Sequence, residues 1–171
     1  MIIRTRRLDL LPVELSDAHA VLGGVRRPDW AIDYPTEGDI VIAGLIVRNS
    51  KARTDAYAHY KITLRAKGQV IGGCGFLGPP DATGSVEIGY GLVPSERGKG
   101  IATEAVKGLL EAAWKDPVVN LVVAFPDRDN EPSQGVLRRV GFQHVDSNSE
   151  QLRWEIKRQP RSPIATAPNT G

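Results

Sequence analysis

The stretch from Ser85 to Trp114 constrains the fold of this chain most, because it reads as a strand, a glycine-rich turn and a helix in immediate succession. Apolar or aromatic residues occupy every second position from Val86 to Leu92, and this alternation predicts a strand. Pro94 interrupts the pattern, and from Ile101 onward apolar residues recur at helical spacing with charged residues between them. The end of the strand is therefore predicted to lie close to the N-terminus of the helix.

The turn between this strand and this helix has the composition of a phosphate-binding site. The first amides of a helix have no acceptor within the helix and lie at the positive end of its dipole. Gly98 and Gly100 lack the side chains that would keep an anion away from those amides, and Arg97 and Lys99 add positive charge. We therefore predict that a pyrophosphate group binds to a cradle formed by Arg97, Gly98, Lys99, Gly100, Ile101 and Ala102.

Two common nucleotide-binding motifs do not match this turn. A P-loop would need a glycine at the position of Val93 and a hydroxyl residue at the position of Gly100. The dinucleotide fingerprint would need a third glycine at the position of Thr103. A nucleotide hydrolase is thus a disfavoured alternative, which binding of ATP with magnesium but not of coenzyme A would restore.

The pattern Arg-x-x-Gly-x-Ala at residues 97–102, between a strand and an amphipathic helix, resembles the acetyl-coenzyme A motif of the GNAT superfamily of N-acetyltransferases. Two further segments resemble the branch similar to the ribosomal-protein N-terminal acetyltransferases. They are the opening phrase R-T-x-R-L-x-L-x-P at residues 4–12 and the segment from Asn130 to Phe142. The resemblance covers residues 1–157 and implies transfer of an acetyl group from acetyl-coenzyme A to a primary amine.

The resemblance also implies the fold class, an α/β (α+β) GNAT fold. The elements predicted from the sequence follow the order β-α-α-β-β-β-α-β-α-β-β, with a mixed central sheet of about six to seven strands. In this family the fourth and fifth strands separate, and the pantetheine arm of the acetyl donor lies between them. Residues 1–157 are therefore predicted to form one domain, and the proline-containing segment 158–171 is predicted to be a disordered tail.

Several local signals define the other elements. A first strand is predicted over Ile2 to Leu11, and Ser16-Asp17 is predicted to cap the first helix. Thr36 with Asp39 three residues later is a variant capping box for the second helix. The runs at residues 57–65 and 69–76 are joined by a glycine-containing turn, which predicts a β-hairpin.

Glu87 is the candidate general base, because an attacking amine must lose a proton and a carboxylate can accept it through a water. The alternative interpretation is a surface glutamate on a strand. The family resemblance implies that backbone groups near Leu92 and Val93 bind the pantetheine arm, and that Asn130 helps to hold the donor. It also implies that Ser133 lies near the sulfur and can protonate the departing thiolate, whereas many relatives have a tyrosine near this point. The alternative for Asn130 and Ser133 is an ordinary helix cap and first-turn residue.

Candidate acceptor residues are less well defined by the sequence. Trp30 and Tyr34, between the first two helices, and His59, on a predicted strand, are candidates for the acceptor pocket, although each could equally be a core residue. Cys74 is predicted to be a small buried hydrophobic residue rather than a nucleophile. The three histidines have no metal-ligand spacing, so no metal is predicted.

Composition excludes several classes of protein. With 171 residues, one cysteine and a net charge of +2, the chain is predicted to be a single cytoplasmic domain without disulfides, nucleic-acid binding or a membrane span. A monomer or a homodimer is expected. The same features fit a second function class, a non-catalytic module that senses acyl-coenzyme A, which turnover of an amine would exclude.

Overall fold

The computed structural model describes residues 1–49, 57–147 and 150–159. Within this part of the chain, eight strands and four α-helices follow one another, with a short 3₁₀ turn at Pro94–Glu96 before the third helix. In chain order the elements are β1 (Ile3–Arg4), β2 (Leu8–Pro12), α1 (Leu15–Leu22), α2 (Glu37–Arg48), β3 (His59–Leu64), β4 (Gln69–Phe76), β5 (Ser85–Leu92), α3 (Ile101–Ala113), β6 (Leu121–Ala124), α4 (Glu131–Val140), β7 (Gln143–Ser147) and β8 (Leu152–Lys157).

The strands form one open mixed sheet with the order β1-β2-β3-β4-β5-β6-β8-β7. Neighbouring strands are antiparallel except for β5 and β6, which are parallel. The β5–β6 pairing extends only from Ser85 opposite Leu121 to Glu87 opposite Val123. Beyond Glu87, β5 continues to Leu92 beside β4 alone. The separation predicted between the fourth and fifth strands is therefore confirmed. These strands are β5 and β6 of the structure, because an additional N-terminal strand raises their numbers by one.

The N-terminal segment differs from its prediction. A single strand over Ile2 to Leu11 is wrong, because a turn divides the segment into β1 and β2. Thr5 closes this turn: its N–H donates to the Leu8 carbonyl at 3.0 Å, and its hydroxyl oxygen accepts from the Leu8 N–H at 3.1 Å. The extra strand raises the strand number from the predicted six to seven to eight.

The first helix also begins differently from its prediction. The structure places Glu14 at the N-cap of α1, whereas a cap at Ser16-Asp17 was expected. Asp17 is instead the third residue of the helix, and its carboxylate accepts from the Glu14 N–H at 2.8 Å. The expected capping box of α2 is confirmed, with the Asp39 carboxylate accepting from the Thr36 N–H at 2.9 Å.

Two helical layers cover the two faces of the sheet. On one face α1 packs on α2, and Asp39 of α2 lies against Gly73 of β4. On the other face α3 packs on α4, and Gly108 of α3 lies against Leu10 of β2. The strand register connects Leu10 with Gly72, and successive residues point to opposite faces. The two layers therefore enclose β2 to β5, which form the centre of the core.

The C-terminal end of the described chain is attached to the domain. The Arg158 guanidinium donates to the carbonyls of Val119 at 2.7 Å and Trp114 at 2.8 Å, and it lies over the Trp114 ring. Most of the predicted tail, residues 160–171, lies outside the described residues. In the described part of the chain, no helix combines the length and apolar character that crossing a bilayer requires.

Candidate active site

The predicted phosphate cradle has the backbone geometry of an anion site. Gly98 and Gly100 both adopt left-handed conformations, with φ of 74° and 72°, which residues with side chains rarely adopt. Gly100 is the N-cap of α3, and no side chain caps this helix. The amides of Ile101 and Ala102 therefore lack both an acceptor within the helix and a capping side chain. Exposed glycines and uncapped amides suit a pyrophosphate group.

Glu96, directly before the cradle, holds the turn in place from its buried side. Its side chain is buried and accepts hydrogen bonds from the ammonium groups of Lys67 and Lys99. These bonds hold the pKa of Glu96 below its usual value. The Lys99 ammonium also donates to the Ser95 carbonyl at 2.8 Å. The prediction that Lys99 adds charge to the cradle is therefore corrected, because its ammonium is directed toward Glu96. Arg97 is exposed and its Nε donates to the Leu92 carbonyl at 3.0 Å, and its role as a cation of the cradle stays a prediction.

Arg7 holds the cradle from the side of α3. Its guanidinium donates to the Lys99 carbonyl at 3.0 Å and to a Glu104 carboxylate oxygen at 2.6 Å, while its backbone N–H donates to the other oxygen at 2.6 Å. The Thr5 hydroxyl also donates to Glu104, at 2.6 Å. Sequence reasoning missed Arg7 and Glu104 as supports of the cradle. The opening phrase at residues 4–12 was the available signal, since it contains both Thr5 and Arg7.

Glu87 lies at the point where β5 and β6 separate, on the α1–α2 face of the sheet. Its side chain shares this face with Gly89 and Gly91, because successive strand residues alternate between faces. Burial raises the pKa of Glu87 above its usual value. Among the described residues, no hydrogen bond or ion pair reaches its carboxylate. A carboxylate with a raised pKa is a better base than an ordinary surface glutamate.

The open edge of β5 continues from Glu87 to the cradle. The Val93 N–H donates to the Ile71 carbonyl at 2.9 Å, and the Leu77 N–H donates to the Glu87 carbonyl at 3.0 Å. In an antiparallel pair, successive residues direct their backbone N–H groups alternately toward and away from the partner strand. Because Glu87 and Val93 bond toward β4, the N–H groups of Tyr90 and Leu92 point away from β4, toward the opening beside β6. Val93 is therefore a correction to the predicted pantetheine contacts, because its amide is already paired. The open edge at Tyr90 and Leu92 leads into the cradle residues.

Tyr90 connects the open strand edge with α4. The Ser133 hydroxyl donates to the Tyr90 hydroxyl at 2.7 Å, and the Tyr90 hydroxyl donates to the Ser133 carbonyl at 3.0 Å. Asn130 caps α4, accepting from the Ser133 N–H at 3.1 Å, as expected. The sequence search for a tyrosine near residues 130–142 missed Tyr90, since it lies on a different element. Burial raises the pKa of Tyr90 to about 12.

A cavity of about 310 Å³ lies between the α1–α2 layer and strands β3 to β5. Tyr34 and His59, both predicted acceptor residues, line this cavity together with Gly89 and Gly91 of β5. Trp30, the third predicted acceptor residue, does not line it. Its buried ring instead packs edge-on against Tyr34 with ring centres 4.9 Å apart, which corrects that prediction.

The remaining candidate side chains, Cys74, Arg138 and Arg139, are in contact with other protein groups. Cys74 is buried, as expected, and burial raises the pKa of its thiol well above its usual value. The Arg138 guanidinium lies 5.6 Å from the centre of the Trp154 ring. Arg139 lies near Tyr90, where its charge opposes the effect of burial on the tyrosine pKa. Within the described ranges, no group of three or more acidic, histidine or cysteine residues is arranged to hold a metal ion.

Comparisons with known proteins agree with this geometry. The family described as "Acetyltransferase (GNAT) domain" matches residues 7–143. The protein named "Uncharacterized N-acetyltransferase YjdG" of Bacillus subtilis (strain 168) is 27% identical over 164 residues, covering 90% of this chain and 96% of the relative. "Uncharacterized N-acetyltransferase p20" of Bacillus licheniformis is 34% identical over 143 residues, covering 81% of this chain and 80% of the relative.

The fold is also that of solved acetyltransferases. The structure of RimL, a ribosomal L7/L12 alpha-N-protein acetyltransferase in complex with coenzyme A, superposes with a TM-score of 0.68. Sequence identity is 18%, and the match covers 92% of this chain and 98% of RimL. At this identity the likeness shows the fold alone.

Proposed function

The chain belongs to the GNAT acetyltransferases, and from this membership we propose that it transfers the acetyl group of acetyl-coenzyme A to a primary amine by direct attack in a ternary complex. Membership of the family makes the protein an acyltransferase. Beyond this membership, we propose the identity of the donor, acetyl-coenzyme A, and the class of the acceptor, a primary amine. A protein N-terminus, as the name of RimL states for that enzyme, and a small amine are both acceptors of this kind.

The observation that carries the proposal is one continuous path along the protein. The open edge of β5 at Tyr90 and Leu92 runs directly into the uncapped N-terminus of α3. An extended arm with amide groups suits the strand edge, and a pyrophosphate suits the helix amides. Coenzyme A contains both groups in this order, and its thioester supplies an activated acetyl carbon.

We assign to Glu87 the role of taking the proton of the amine. As the carbon–nitrogen bond forms, the carboxylate accepts the amine proton directly or through a water, and the carbon–sulfur bond breaks with its electron pair remaining on sulfur. The position of Glu87 supports this role, since it lies on the α1–α2 face where the strands part. That face also carries the cavity with Gly89 and Gly91, so donor and acceptor would approach the gap from opposite faces.

In this proposal the hydroxyls of Ser133 and Tyr90 stabilise the leaving thiolate by hydrogen bonding. A tyrosine pKa of about 12 lies far above the thiol value of about 8.5, so full proton transfer from Tyr90 to the thiolate would be unfavourable. The Ser133 hydroxyl, now donating to Tyr90, can rotate toward a nearby thiolate. We therefore assign this pair a supporting role, and Asn130 the role of positioning it.

Isothermal titration of acetyl-coenzyme A tests the cradle. In Gly98→Asp/Gly100→Asp, two carboxylates occupy the space where the pyrophosphate would bind. We expect the affinity for acetyl-coenzyme A to fall by at least about 100-fold through charge repulsion. Gly24→Asp is the matched control, because Gly24 is exposed, has φ of 67° and has open space around it. Undiminished affinity in the double variant would remove the cradle from the proposal.

Turnover separates the enzyme from the sensing module. Release of free coenzyme A with an amine acceptor, above the rate of hydrolysis without amine, supports the transferase. Tight binding of acetyl-coenzyme A without acetylation of any amine in a broad screen supports the sensor. A cytoplasmic location and a monomeric or homodimeric state belong to the same proposal and rest on the sequence alone.

A further inference from the structure

Asp39 is the one acidic side chain in the described lining of the cavity between α2 and the sheet. It is the third residue of α2, and the capping box fixes one of its carboxylate oxygens. Oδ2 accepts from the Thr36 N–H at 2.9 Å and from the Thr36 hydroxyl at 2.7 Å. The other oxygen, Oδ1, takes no part in these capping bonds and lies over Gly73 of β4. The carboxylate is thus held in one orientation before any ligand binds.

Gly73 provides the space for this carboxylate. A Cβ atom at Gly73 would lie 2.7 Å from Asp39 Oδ1, closer than a side chain allows. Gly73 pairs with Gly91 of β5, the strand whose open edge begins the proposed donor path. Asp39 is therefore placed beside the same part of β5 from which the acetyl group would be approached.

The nearby cations are occupied by a different carboxylate. Lys61 pairs with Gly73 in the sheet, but its ammonium donates to Asp17 Oδ2 at 2.7 Å. The Arg27 guanidinium also binds Asp17. Among the described residues, neither an ion pair nor a cation that favours its charged form is found for Asp39, and burial raises its pKa. Within the described ranges, two cations contact Asp17, whereas none contacts Asp39, which faces the cavity.

The rest of the lining is largely apolar and limits what can enter. Side chains of Val13, Val21, Val41, Ile42 and Leu77 contribute to the walls. At about 310 Å³ the cavity is at the small end of the range for ligand pockets. A small apolar body suits these walls, and a single cationic group suits the one carboxylate. A polycation would have to place further charges against apolar side chains, which is costly.

We propose that Asp39 binds the ammonium group of the acceptor and that the acceptor is a compact primary amine with one positive charge and an apolar body. This inference rests on the proposed acetyltransferase function, since it names the substrate class of that site. It assigns Asp39 to acceptor binding and leaves proton removal with Glu87. The expected signature is therefore a change in the Michaelis constant for the amine rather than in the turnover number.

Binding of 2-phenylethylamine to the full chain, measured by titration without acetyl-coenzyme A, is the primary test. Its neutral isostere 2-phenylethanol has the same body without the charge. For the wild type we expect the amine to bind at least about 10-fold more tightly than the alcohol, as is typical for a hydrogen bond to a charged group. Asp39→Asn should remove this preference, and its amide oxygen can still accept from Thr36 and keep the cap.

Two further variants give the experiment its controls. Glu37→Gln removes an exposed charge from the same helical turn without contacting the cavity, so the preference should persist. Gly73→Ala keeps the charge but displaces the carboxylate, so it should weaken amine binding even if Asp39→Asn does not fold. With an acceptor that is turned over, Asp39→Asn should raise the Michaelis constant about 10- to 100-fold while the turnover number changes less than about threefold.

Either of two results would overturn the inference: equal binding of amine and alcohol by the wild type, including no binding of either, or an unchanged preference in both Asp39→Asn and Gly73→Ala. Failure of the proposed function would look different, because the binding test needs no acetyl donor. A protein that binds the amine through Asp39 but acetylates no amine would keep the site and lose the transferase assignment.

Discussion

At the scale of single residues, Glu87 and Asp39 differ in what surrounds them although both carboxylates lie on the same face of the sheet. Glu87 has no described donor or cation and is half-buried on β5. Asp39 has one oxygen fixed by the Thr36 cap. A base must gain and release a proton, whereas a binding carboxylate must keep its position. The free carboxylate of Glu87 suits the first role and the fixed carboxylate of Asp39 suits the second.

The pH dependence of the turnover number tests the role of Glu87. Because burial raises its pKa, the active deprotonated form should be lost, as pH falls, at a pH above the usual glutamate value of about 4.3. Glu87→Gln should lower the turnover number about 100-fold or more and abolish this acid limb.

Glu111→Gln serves as the control for this profile, because Glu111 is an exposed glutamate on α3. Its rate and acid limb should match those of the wild type. An unchanged rate and pH profile in Glu87→Gln would assign proton removal to another group or to solvent.

At the scale of elements, the N-terminus of α3 is held by parts of the chain that are distant in sequence. Glu96 binds Lys67 from the β3–β4 turn, and Arg7 binds the Lys99 carbonyl and Glu104. The strand, turn and helix form from local signals, but these side chains fix the direction of the turn. The cradle amides are therefore oriented in advance, which lowers the entropic cost of binding an anion.

Urea unfolding of Glu96→Gln tests this support. Two charge-assisted hydrogen bonds are lost, and because both lysines are about half exposed, we expect the free energy of unfolding at pH 7 to fall by roughly 1–2 kcal/mol. The folded pKa of Glu96 is lowered, so the wild-type advantage is present above the unfolded value of about 4.3. It should disappear as pH falls through the lower folded value.

Glu111→Gln is again the control, since it removes an exposed glutamate without breaking a described ion pair. A stability of Glu96→Gln equal to that of the wild type at pH 7 would contradict the support role. So would a difference between the two proteins that grows as the pH falls.

At the scale of the whole molecule, the sheet consists of two parts joined by the short parallel pairing of β5 with β6. Strands β1 to β5 form one part and β6, β8 and β7 form the other. An arm bound in the gap would act as an additional strand and would connect the two parts. Donor binding is therefore expected to protect the open edge of β5 as well as to stabilise the domain.

Hydrogen exchange with and without acetyl-coenzyme A measures this effect. Peptides containing Tyr90 and Leu92 should exchange more slowly with the donor bound, whereas peptides from β2, inside the sheet, should change little beyond any global stabilisation. At a donor concentration of 100 times the dissociation constant, stabilisation of about 2.7 kcal/mol should raise the melting temperature by about 5–10 °C. A higher melting temperature without added protection at Tyr90 and Leu92 would place the donor elsewhere.

Local patterns in the sequence were sufficient for most of the elements and for the cradle. The alternation in β5, the glycines at 98 and 100 and the capping signals of α2 and α4 act between near neighbours, so each could be interpreted without the rest of the chain. The turn at Thr5 was missed because its polar residues continue the charged pattern of the segment. No strong glycine or proline signal marks it.

The sequence by itself thus determined the order of the elements from β2 onward, the uncapped start of α3 and the face of β5 that carries Glu87, because these depend on backbone preferences and spacing within one element. Only the tertiary structure decided that Tyr90 meets Ser133, 43 positions away, that Lys67 binds Glu96, 29 positions away, and that Asp39 faces the cavity with no cation among the described residues. These contacts depend on strand register and on the packing of helices against the sheet, and no pattern within one element encodes them.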